Sequence, residues 1–392
     1  MVVEAFLGGV ATHVSDLSVA LVASGHDVHV LYSDLRADGH ARRQLSRMGD
    51  SGVKCVPLPI AHAPALTDVR SGAGLRRYAG SFGRFDILHA HSTKAGFLLR
   101  LSAFGLGAPV VYTPHAFLTL DPQLSTLRRR FAAILERILA SVTSAVVAVS
   151  EAEARHALAL GLSADRVFVV PNGIARVRTS QETYTVREAV RREWNVLPDD
   201  ICVGFVGRLT PQKKPERVLG AFAQFRRRCD RAKLIMAGYG PLEKPLRQRA
   251  EALGIGDQLR WLGEVRTTEV MPGLDVLLLT SEYEGFPYVL LEAMVAGVPV
   301  VTTPVGGVDM LVVDGESGFV ADSREDFAGA LTRLAAEPSL RLKMQTECSR
   351  RVEGFSVERM ASGTLDVYHH CLALHFRRVI CQPRWPRLGA EQ

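Results

Sequence analysis

Short apolar runs alternate along this chain with longer stretches whose apolar residues have helical spacing. Five runs in the first half predict β-strands: residues 28–33, 86–92, 109–115, 144–150 and 167–173. A helical pattern over residues 10–25 ends on Gly25, a common stop signal for helices. This alternation is typical of parallel sheets in which a helix connects one strand to the next.

The same alternation resumes in the second half, after a segment near residues 175–200 that has no regular pattern of apolar residues. Five more runs predict strands there: 201–207, 232–238, 259–263, 275–281 and 298–303. Because each half has its own strands, we predict an α/β protein with two doubly wound, Rossmann-like domains facing a central cleft. The predicted segments are a first domain over 1–178, a linker over 179–198, a second domain over 199–358, and a C-terminal helix with a tail over 359–392 that returns to the first domain.

Length and composition agree with two soluble domains. A chain of 392 residues exceeds what one ordinary core holds, and 47% apolar with 22% charged residues is typical of globular proteins. No stretch approaches the roughly 18 apolar residues that span a bilayer, and the N-terminus lacks a basic region followed by an apolar one. Only "VVEAF" precedes Gly8 and Gly9, so either the first strand is short or Met1 is not the original start.

The six cysteines are scattered along the chain without any C-x-x-C spacing. Paired spacings of this kind are typical of structural zinc sites, and dense cysteines are typical of small secreted domains held by disulfides. We therefore expect a protein of the reducing cytoplasm, without a zinc site or a disulfide framework.

The net charge of +6 lies entirely in the first half of the chain. Residues 1–180 contain 19 Lys and Arg against 13 Asp and Glu, whereas residues 181–392 contain equal numbers of each. The excess suggests an anionic partner for the first half, such as nucleic acid, a membrane surface or a phosphorylated ligand. An ordinary solvated surface explains so small an imbalance equally well.

The stretch "EYEGFPYVLLE", residues 282–292, lies between the predicted strands 275–281 and 298–303. It predicts a loop followed by a helix whose first residue is Pro287, since proline lacks only an amide that would be unpaired there anyway. Ligands of open parallel sheets bind beyond the carboxyl ends of strands, against the positive ends of helices. The amides of residues 285–288, apart from Pro287, are therefore candidates to hold a phosphate or sugar oxygen.

Two carboxylates, Glu284 and Glu292, lie in this loop and helix, and three interpretations are open. A glycosidase pair must lie on either side of one glycosidic bond, which is less natural for two residues of one loop and helix. A metal site would need further ligands, and residues 275–300 contain no histidine. Acceptance of hydrogen bonds from vicinal sugar hydroxyls needs only a cleft and this spacing. We prefer the third interpretation.

The segment "SEYEGFPYVLLEAMVAGVPVVTTPVGG", with Glu284 and Glu292 eight residues apart, resembles the signature of the group-4 family of retaining glycosyltransferases with the GT-B fold. The resemblance extends from Gly8 and Gly9 to about residue 370. It implies an enzyme that uses a nucleotide sugar as donor and transfers its sugar to an acceptor. Nucleic acid is then no longer an expected partner of the basic first half.

In similar enzymes an Arg and a Lys at the spacing of Arg208 and Lys213, in "GRLTPQKKP", hold the donor diphosphate. A departing nucleoside diphosphate develops negative charge, which fixed cations stabilise in the transition state. Lys214 is the rival for the role of Lys213, and the family spacing favours Lys213. A solvated basic loop is the other interpretation of this segment.

The resemblance also assigns roles to other residues. Glu292 would accept hydrogen bonds from the ribose, and Glu284 would contact the transferred sugar, whereas His115 would lie against that sugar near the reaction centre. The remaining expected donor contacts are Gly8, Gly9, Gly238, Val265, Gly285, Phe286, Pro287, Tyr288 and Val289. Val265 would contact the nucleotide base, although a purely structural strand end is an equally good interpretation of its segment.

Three further features of the first half allow simpler interpretations. His13, one turn into the first predicted helix, is expected at the surface. "VPNGI", residues 170–174, is expected to be a turn that uses Gly173 at positive φ. Ser150 is predicted to cap the helix that follows it.

No general base or nucleophile stands out in the sequence. This agrees with the family, whose retaining members are thought to transfer on one face of the sugar while the departing phosphate helps to deprotonate the acceptor. A suitably placed D-x-D motif is also missing, so we expect no metal or other cofactor.

The acceptor is predicted from similarity alone. Residues 89–117 are similar to members that build exopolysaccharide, capsule or O-antigen units, often on an undecaprenyl-diphosphate carrier. The function predicted is therefore transfer to a glycan or polyprenyl-diphosphate-linked acceptor in cell-surface polysaccharide synthesis. A nucleotide-sugar epimerase and a non-catalytic nucleotide-sugar-binding protein remain alternatives.

Residues 124–139 have apolar side chains at helical spacing, with Arg128, Arg129 and Arg130 beside them. Such a helix could lie on the anionic inner face of the plasma membrane. A helix that packs on the core and exposes its basic face is the favoured interpretation. Peripheral membrane association of a cytoplasmic enzyme is therefore an open option.

Overall fold

The protein, described here by a computed structural model, folds into alternating strands and helices over residues 1–61, 65–175 and 180–380. The strands are β1 Val2–Val3, β2 His29–Tyr32, β3 Lys54–Pro57, β4 Leu88–His91, β5 Val110–Thr113, β6 Ala145–Ala148, β7 Val167–Val169, β8 Ile201–Val206, β9 Ala232–Ala237, β10 Leu259–Gly263, β11 Val276–Leu279, β12 Val300–Thr302 and β13 Gly318–Val320.

The α-helices that connect and cover these strands are α1 Gly8–Ala23, α2 Gly39–Asp50, α3 Thr67–Ser81, α4 Thr93–Ser102, α5 Thr126–Leu139, α6 Glu151–Ala159, α7 Ser180–Glu193, α8 Pro215–Arg226, α9 Glu243–Ala252, α10 Thr267–Val270, α11 Tyr288–Val295, α12 Val308–Leu311, α13 Arg324–Ala336, α14 Pro338–Val352 and α15 Val357–Ile380. The predicted tail beyond Ile380 lies outside the described residues.

The strands form two separate parallel sheets within the described residues. The first has the order β3-β2-β1-β4-β5-β6-β7, and the second has the order β10-β9-β8-β11-β12-β13. In each sheet the winding direction reverses once, between β1 and β4 and between β8 and β11. These reversals leave a crevice at the carboxyl ends of the strands, where ligands of such folds bind. The predicted fold class, two Rossmann-like domains of the GT-B type, is confirmed.

Helices cover both faces of each sheet, as the buried apolar strands require. In the first domain, α1, α2 and α15 pack on one face, and α3, α4 and α6 pack on the other. In the second domain, α11 and α14 pack on one face, and α8, α9 and α13 pack on the other. The strand β8 is buried along its whole length because it lies inside the sheet and under both helical layers.

Every strand predicted from an apolar run is present. The apolar pattern missed β3 and β13, which are short strands at the edges of their sheets. Edge strands need fewer apolar residues because one side lacks a neighbouring strand. The side chains of β3 are accordingly exposed or only partly buried. The first strand has two residues, and α1 begins at Gly8, two residues earlier than predicted.

The segment expected as a linker contains helix α7, which is bound to the second domain. Asp275 accepts hydrogen bonds from Arg187 at 2.6 Å and from Arg191 at 2.9 Å. The side chain of Trp194 joins the core of the second domain, where a Cβ at Gly273 would lie 2.5 Å from it. The interruption of the apolar runs near residues 175–200 therefore corresponds to an amphipathic helix on the surface of the second domain.

The long helix α15 returns to the first domain. Its residues Met360 and Tyr368 join the core that contains α1, and the Tyr368 hydroxyl lies 2.7 Å from His89 Nδ1. The segment around Gly173 packs closely on the segment before α15, because a Cβ at Gly173 would lie 2.3 Å from the Ser356 carbonyl oxygen. The prediction that Gly173 has a positive φ is wrong, since this glycine is needed for close approach and not for a left-handed turn.

Helix α5 contradicts the interpretation that residues 124–139 pack on the core. Leu127, Phe131, Ile134 and Ile138 are between 58% and 78% exposed, whereas Glu136 and Leu139 are buried. The apolar side chains form a solvent-facing strip because the helix turns its other face, with Glu136 bonded to Arg100, toward the sheet. We call these four exposed side chains the α5 apolar strip. Within the described chain, no helix is both long and apolar enough to cross a membrane.

Candidate active site

A single large cleft lies between the two sheets at their carboxyl ends. Its volume is about 1490 Å³, and both domains contribute to its walls. The structure brings together in it all the residues that the sequence analysis proposed for the site: Gly8, Gly9, His115, Arg208, Lys213, Gly238, Val265, Glu284, Gly285, Phe286, Pro287, Tyr288, Val289 and Glu292. Their roles remain predictions, but their common location follows from the fold.

The loop after β11 and the start of α11 form one wall of the cleft. Pro287 is the N-cap residue and Tyr288 is the first residue of the helix, one position later than predicted. The first amides of a helix have no acceptor within it, so those of Tyr288 and Val289 are available to a ligand oxygen. The Tyr288 side chain is buried, with its hydroxyl 3.9 Å from Met360 Sδ.

Lys213 and Glu284 form an ion pair in the cleft, with Lys213 Nζ 2.5 Å from Glu284 Oε1. The neighbouring Lys214 is paired with Glu282 at 3.2 Å, and it does not line the cleft. The backbone separates the two lysines because Lys214 has a left-handed conformation with φ of 46°. Of the two lysines, Lys213 lines the cleft and Lys214 does not, and the role of Lys213 at a donor phosphate stays a prediction.

Arg208 follows β8 and lies in the same cleft, partly buried. Burial and the nearby Arg36 lower the pKa of the Arg208 guanidinium, while Glu284 opposes this effect. Concentrating cationic side chains in a desolvated crevice costs free energy, and a bound anion would remove much of that cost. The position fits a diphosphate held between Arg208, Lys213 and the amides of α11.

Glu292 lies one helical turn inside α11 and accepts a hydrogen bond from Thr267 Oγ1 at 2.7 Å. Burial raises the pKa of the Glu292 carboxyl to about 7, the nearby Asp16 adds to the rise, and Thr267 and Lys213 oppose it. Its second oxygen has no hydrogen bond within the described structure. That oxygen can accept from a sugar hydroxyl.

Close backbone approach explains the glycine at position 238, which follows β9. Gly238 has φ of 134°, and a Cβ there would lie 1.9 Å from the Gly207 carbonyl oxygen. Any side chain would therefore push the loops after β8 and β9 apart and displace Arg208. The predicted contact of Gly238 with the donor stays a prediction.

Two contacts join the domains across the cleft near this wall. The Tyr239 hydroxyl donates to Asp38 Oδ2 at 3.0 Å, and the His40 amide donates to Glu264 Oε1 at 3.1 Å. Asp38 caps α2 by accepting from the Ala41 amide. The start of α2 is therefore bound to the loops after β9 and β10, beside Val265.

A cluster of histidines lies behind the first-domain wall of the cleft. The rings of His13 and His115 are 4.5 Å apart, and His91 Nδ1 lies 3.2 Å from His115 Nε2. The prediction that His13 lies at the surface is wrong, since only 1% of it is exposed. It is buried because the first turns of α1 bring its ring against those of His91 and His115, at the ends of β4 and β5.

Burial keeps these histidines neutral at physiological pH. It lowers the pKa of His13 to about 4, and it lowers the pKa values of His91 and His115 well below the ordinary value, with a further contribution from the neighbouring rings. His115 therefore faces the cleft as an imidazole that can donate or accept a hydrogen bond, and it adds no charge of its own.

Asn172 sets the protonation of His13 and connects it to the loop between β11 and α11, residues 280–287, which we call the donor loop after its predicted ligand. The Phe286 carbonyl oxygen can only accept, so the Asn172 amide nitrogen must donate to it, at 2.9 Å. Asn172 Oδ1 then faces His13 Nδ1 at 2.9 Å, and Nδ1 must carry the proton. This assignment leaves His13 Nε2 with a free lone pair.

His13, His91 and His115 could also hold a metal ion, since one ring nitrogen of each lies within 4.8 Å of the others. Neutral imidazoles are the form that binds zinc and similar metals. The hydrogen bonds described above already use one nitrogen of each ring, so a metal would have to take the remaining nitrogens or displace a bond. The expectation of no metal cofactor stays a prediction.

The sequence analysis did not single out four polar residues that complete this site: His91, Glu153, Asn172 and Thr267. His91 could have been found, because "HAHS" ends a predicted strand beside the one that ends in His115. Asn172 and Thr267 give no such signal, because their importance depends on groups more than twenty positions away that only the fold brings near.

The fold and the cleft together define a two-domain GT-B glycosyltransferase, and comparisons with known proteins agree. Residues 8–173 match the family model described as "Glycosyl transferase 4-like domain". Residues 186–351 match the model described as "Glycosyl transferases group 1". The two matched regions coincide with the two sheets of the structure.

Similar proteins of known name are bacterial glycosyltransferases. The D-inositol 3-phosphate glycosyltransferase of Rhodococcus erythropolis is 30% identical over 73% of this chain and 68% of its own length. That of Acidothermus cellulolyticus is 30% identical over 93% of this chain and 86% of its own length. The chain therefore belongs to the group 1 glycosyltransferases, and it is an enzyme of that class.

Solved structures confirm the fold. HepE from Anabaena, in complex with UDP and glucose, has a TM-score of 0.79 at 21% identity and covers 94% of this chain and 99% of its own. WaaG, a glycosyltransferase involved in lipopolysaccharide biosynthesis, has a TM-score of 0.74 at 18% identity over 94% of this chain and 99% of its own.

The first prediction concerns Glu292. If its carboxylate accepts from ribose hydroxyls, Glu292→Ala should weaken binding of a nucleoside diphosphate by about 1.5–3 kcal/mol, because a charge-assisted hydrogen bond is lost. Since its pKa is about 7, the wild-type affinity should also fall as the pH is lowered from 8 to 6 and the carboxylate becomes protonated. Calorimetry with the nucleotide identified by a thermal-shift screen measures both effects.

The matched control for Glu292 is Glu292→Gln, which keeps the shape of the side chain but cannot titrate. Protonation of the nucleotide phosphates affects both proteins equally, so any difference between their pH profiles belongs to the carboxyl group. Unchanged affinity in folded Glu292→Ala, or identical pH profiles for wild type and Glu292→Gln, would remove the ribose role.

The second prediction separates the adjacent lysines. Lys213→Ala and Arg208→Ala should each lower kcat by roughly 10²–10³-fold and raise the donor KM less, because leaving-group charge is greatest in the transition state. Lys214→Ala breaks only the pair with Glu282 and should have a small effect. Steady-state kinetics with varied donor measure this, and a larger effect at Lys214 than at Lys213 would reverse the assignment.

Proposed function

We propose that the protein is a metal-independent, retaining glycosyltransferase of the cytoplasm. It transfers a hexose from a nucleotide sugar to a glycan or polyprenyl-diphosphate-linked acceptor in cell-surface polysaccharide synthesis. The proposal rests on one observation: the same cleft is lined by Arg208 and Lys213, which follow β8, and by Glu284 and Glu292, which follow the neighbouring strand β11. In this proposal the two cations hold the leaving diphosphate and the two carboxylates accept from sugar hydroxyls.

The ion pair between Lys213 and Glu284 provides a way to engage the donor. An incoming phosphate would compete for Lys213 Nζ, which lies 2.5 Å from Glu284 Oε1. Glu284 would then accept from hydroxyls of the transferred sugar, while Lys213 and Arg208 stabilise charge on the leaving diphosphate. Neutral His115 would hold a hydroxyl of the same sugar from the opposite wall. The departing phosphate itself would take the acceptor proton.

The α5 apolar strip supports a lipid-linked acceptor. The cleft extends from Glu284 along α5, where its walls include Leu124, Phe131 and Leu135. Phe131 also belongs to the exposed strip, so the apolar wall of the cleft is continuous with the outer surface. An acceptor with a hydrocarbon chain in the bilayer could place its head group in the cleft, with the strip in contact with the membrane.

A small phosphorylated acceptor is the second candidate. The two relatives named above are D-inositol 3-phosphate glycosyltransferases, and Arg36, Arg43 and Arg128 line the first-domain wall of this cleft. Those cations could hold a phosphate of a soluble acceptor. They could equally hold the diphosphate of a lipid carrier, so the acceptor assay has to include both compounds.

The third prediction is the transfer reaction itself. With a donor chosen by thermal shift, the enzyme should release nucleoside diphosphate in the presence of an acceptor, and the new glycosidic bond should keep the anomeric configuration of the donor. EDTA should leave most activity intact, because Arg208, Lys213 and the α11 amides carry the diphosphate charge. Coupled detection of the diphosphate and NMR of the product measure these results.

Several outcomes would change the assignment. Interconversion of the donor sugar without any acceptor would indicate an epimerase, and binding without turnover would indicate a non-catalytic protein. An inverted product would contradict the retaining mechanism. Loss of turnover in EDTA, restored by magnesium, manganese or zinc, would contradict metal independence. Transfer to inositol 3-phosphate alone, and not to a polyprenyl diphosphate, would establish the second candidate.

The fourth prediction tests the membrane surface. The protein should bind phosphatidylglycerol-containing vesicles better than phosphatidylcholine vesicles, and salt should weaken that binding. Replacing Arg128 and Arg130 with Gln should remove roughly 1 kcal/mol per charge. Arg129 is left unchanged because its guanidinium donates to the carbonyl oxygens of Asp121 and Leu124 and so supports the fold. Sedimentation with vesicles measures the binding.

A charge-matched control lies in the second domain. Arg227→Gln/Arg228→Gln removes two exposed positive charges at the C-terminal end of α8 and should not affect binding to vesicles. Leu127→Ser/Ile138→Ser should weaken binding to both kinds of vesicle, because it removes apolar surface from the strip. Equal binding to anionic and neutral vesicles, or equal effects of the two Arg pairs, would contradict the membrane proposal.

A further inference from the structure

The turn that presents His115 to the cleft has an unusual backbone. His115 has φ of 57° and the next residue, Ala116, has φ of 85°. The left-handed region is disfavoured for residues with a side chain, and two consecutive non-glycine residues rarely adopt it. Strained conformations of this kind persist only where surrounding contacts hold them, and they concentrate at functional sites.

Glu153 provides the contact that holds this turn. Its Oε1 accepts a hydrogen bond from the Ala116 amide at 2.6 Å, and its Oε2 accepts from the Val149 amide at 2.8 Å. The pattern Ser150-x-x-Glu153 is that of a capping box, and Ser150 caps α6 as predicted, accepting from the Glu153 amide. The Glu153 carboxylate, however, reaches past the N-cap residue to the end of the neighbouring strand.

The burial of Glu153 indicates that its carboxylate is held at a cost. Only 1% of the residue is exposed, and burial raises the pKa of its carboxyl to about 7 against the effect of the two backbone hydrogen bonds. Glu153 lies at the third position of α6, where the positive end of the helix favours a negative charge. It lies behind the turn and does not line the cleft.

The turn also supports the donor loop of the other domain. A Cβ at Gly285 would lie 2.8 Å from the Ala116 amide nitrogen and 3.1 Å from the His115 carbonyl carbon. The loop that carries Glu284 therefore packs directly on the backbone that Glu153 holds. A shift of this turn would move His115 and the neighbouring wall of the donor site together.

We propose that Glu153 is a positioning residue for the transfer reaction. By accepting a hydrogen bond from the Ala116 amide, it holds the left-handed turn that presents His115 to the cleft and against which Gly285 packs. The inference rests on the proposed transferase function. Glu153 itself touches no substrate, and it acts through the geometry of two groups that do.

The test compares Glu153 variants with a suppressor in the turn. Glu153→Ala should lower kcat on the order of 10²-fold, as expected when a reacting group is misplaced by about 1 Å. Glu153→Gln keeps one acceptor oxygen and should lose less. The Kd of the nucleoside diphosphate should change much less than kcat, because Arg208 and Lys213, the cations proposed to hold the diphosphate, follow β8 in the second domain. Kinetics, calorimetry and thermal melting are measured on each variant.

Ala116→Gly in the Glu153→Gln background should restore a large part of the lost kcat. Glycine adopts φ of 85° without steric cost, so the turn no longer needs the carboxylate to hold it. Glu151→Gln is the matched control, since it removes an exposed carboxylate from the same first turn of α6. It should leave kcat unchanged.

A wild-type kcat for Glu153→Ala with a lowered melting temperature would overturn the proposal, because it would show a role in stability alone. Failure of Ala116→Gly to restore activity would overturn it as well. If Glu153→Ala does not fold, the near-isosteric Glu153→Gln and its suppressor decide the question. A wild-type protein that neither binds nucleotides nor transfers sugar would instead contradict the proposed function.

Discussion

The carboxyl ends of two parallel sheets face one another across this cleft. This arrangement determines the position of the residues that line the cleft. Each sheet reverses its winding once, between β1 and β4 and between β8 and β11, so helices diverge there and leave a crevice. Gly8 follows β1, Arg208 follows β8, and Glu284 follows β11. Residues far apart in the sequence share one site because parallel strands all end at the same edge.

The electrostatics of the cleft suit an anionic ligand with a neutral, hydroxyl-rich portion. Its second-domain wall combines Arg208 and Lys213 with the unpaired amides of α11, whereas the histidines behind the opposite wall are kept neutral by burial. Lys213 and Glu284 neutralise each other, with Nζ and Oε1 2.5 Å apart. In the proposed reaction a bound phosphate would compete with Glu284 for Lys213, so recognition of the diphosphate and recognition of the sugar would be coupled.

Contacts between the domains fix the relative positions of these groups. Asn172 bonds the donor loop at Phe286 and His13 at the same time, and Gly285 packs against the turn at Ala116. On the outer side, α15 leaves the second domain and joins the first-domain core through Met360 and Tyr368. Gly285 has no side chain beyond a hydrogen atom, and this permits the close approach of the two domains. The need for that approach explains why the donor loop contains a glycine between Glu284 and Phe286.

The sequence by itself determined the two wound domains and the residues that line the cleft between them. Apolar runs identify interior strands because both faces of those strands are buried, and the loops that follow them are necessarily at the cleft. The edge strands β3 and β13 have weaker apolar patterns and were missed, whereas the edge strands β7 and β10 contain enough apolar residues to be predicted. Only the tertiary structure decided the surroundings of single side chains: that His13 is buried, that α5 exposes its apolar strip, and that Glu153 reaches Ala116. Such facts depend on which elements pack together, and local spacing carries no information about partners that are distant in the chain.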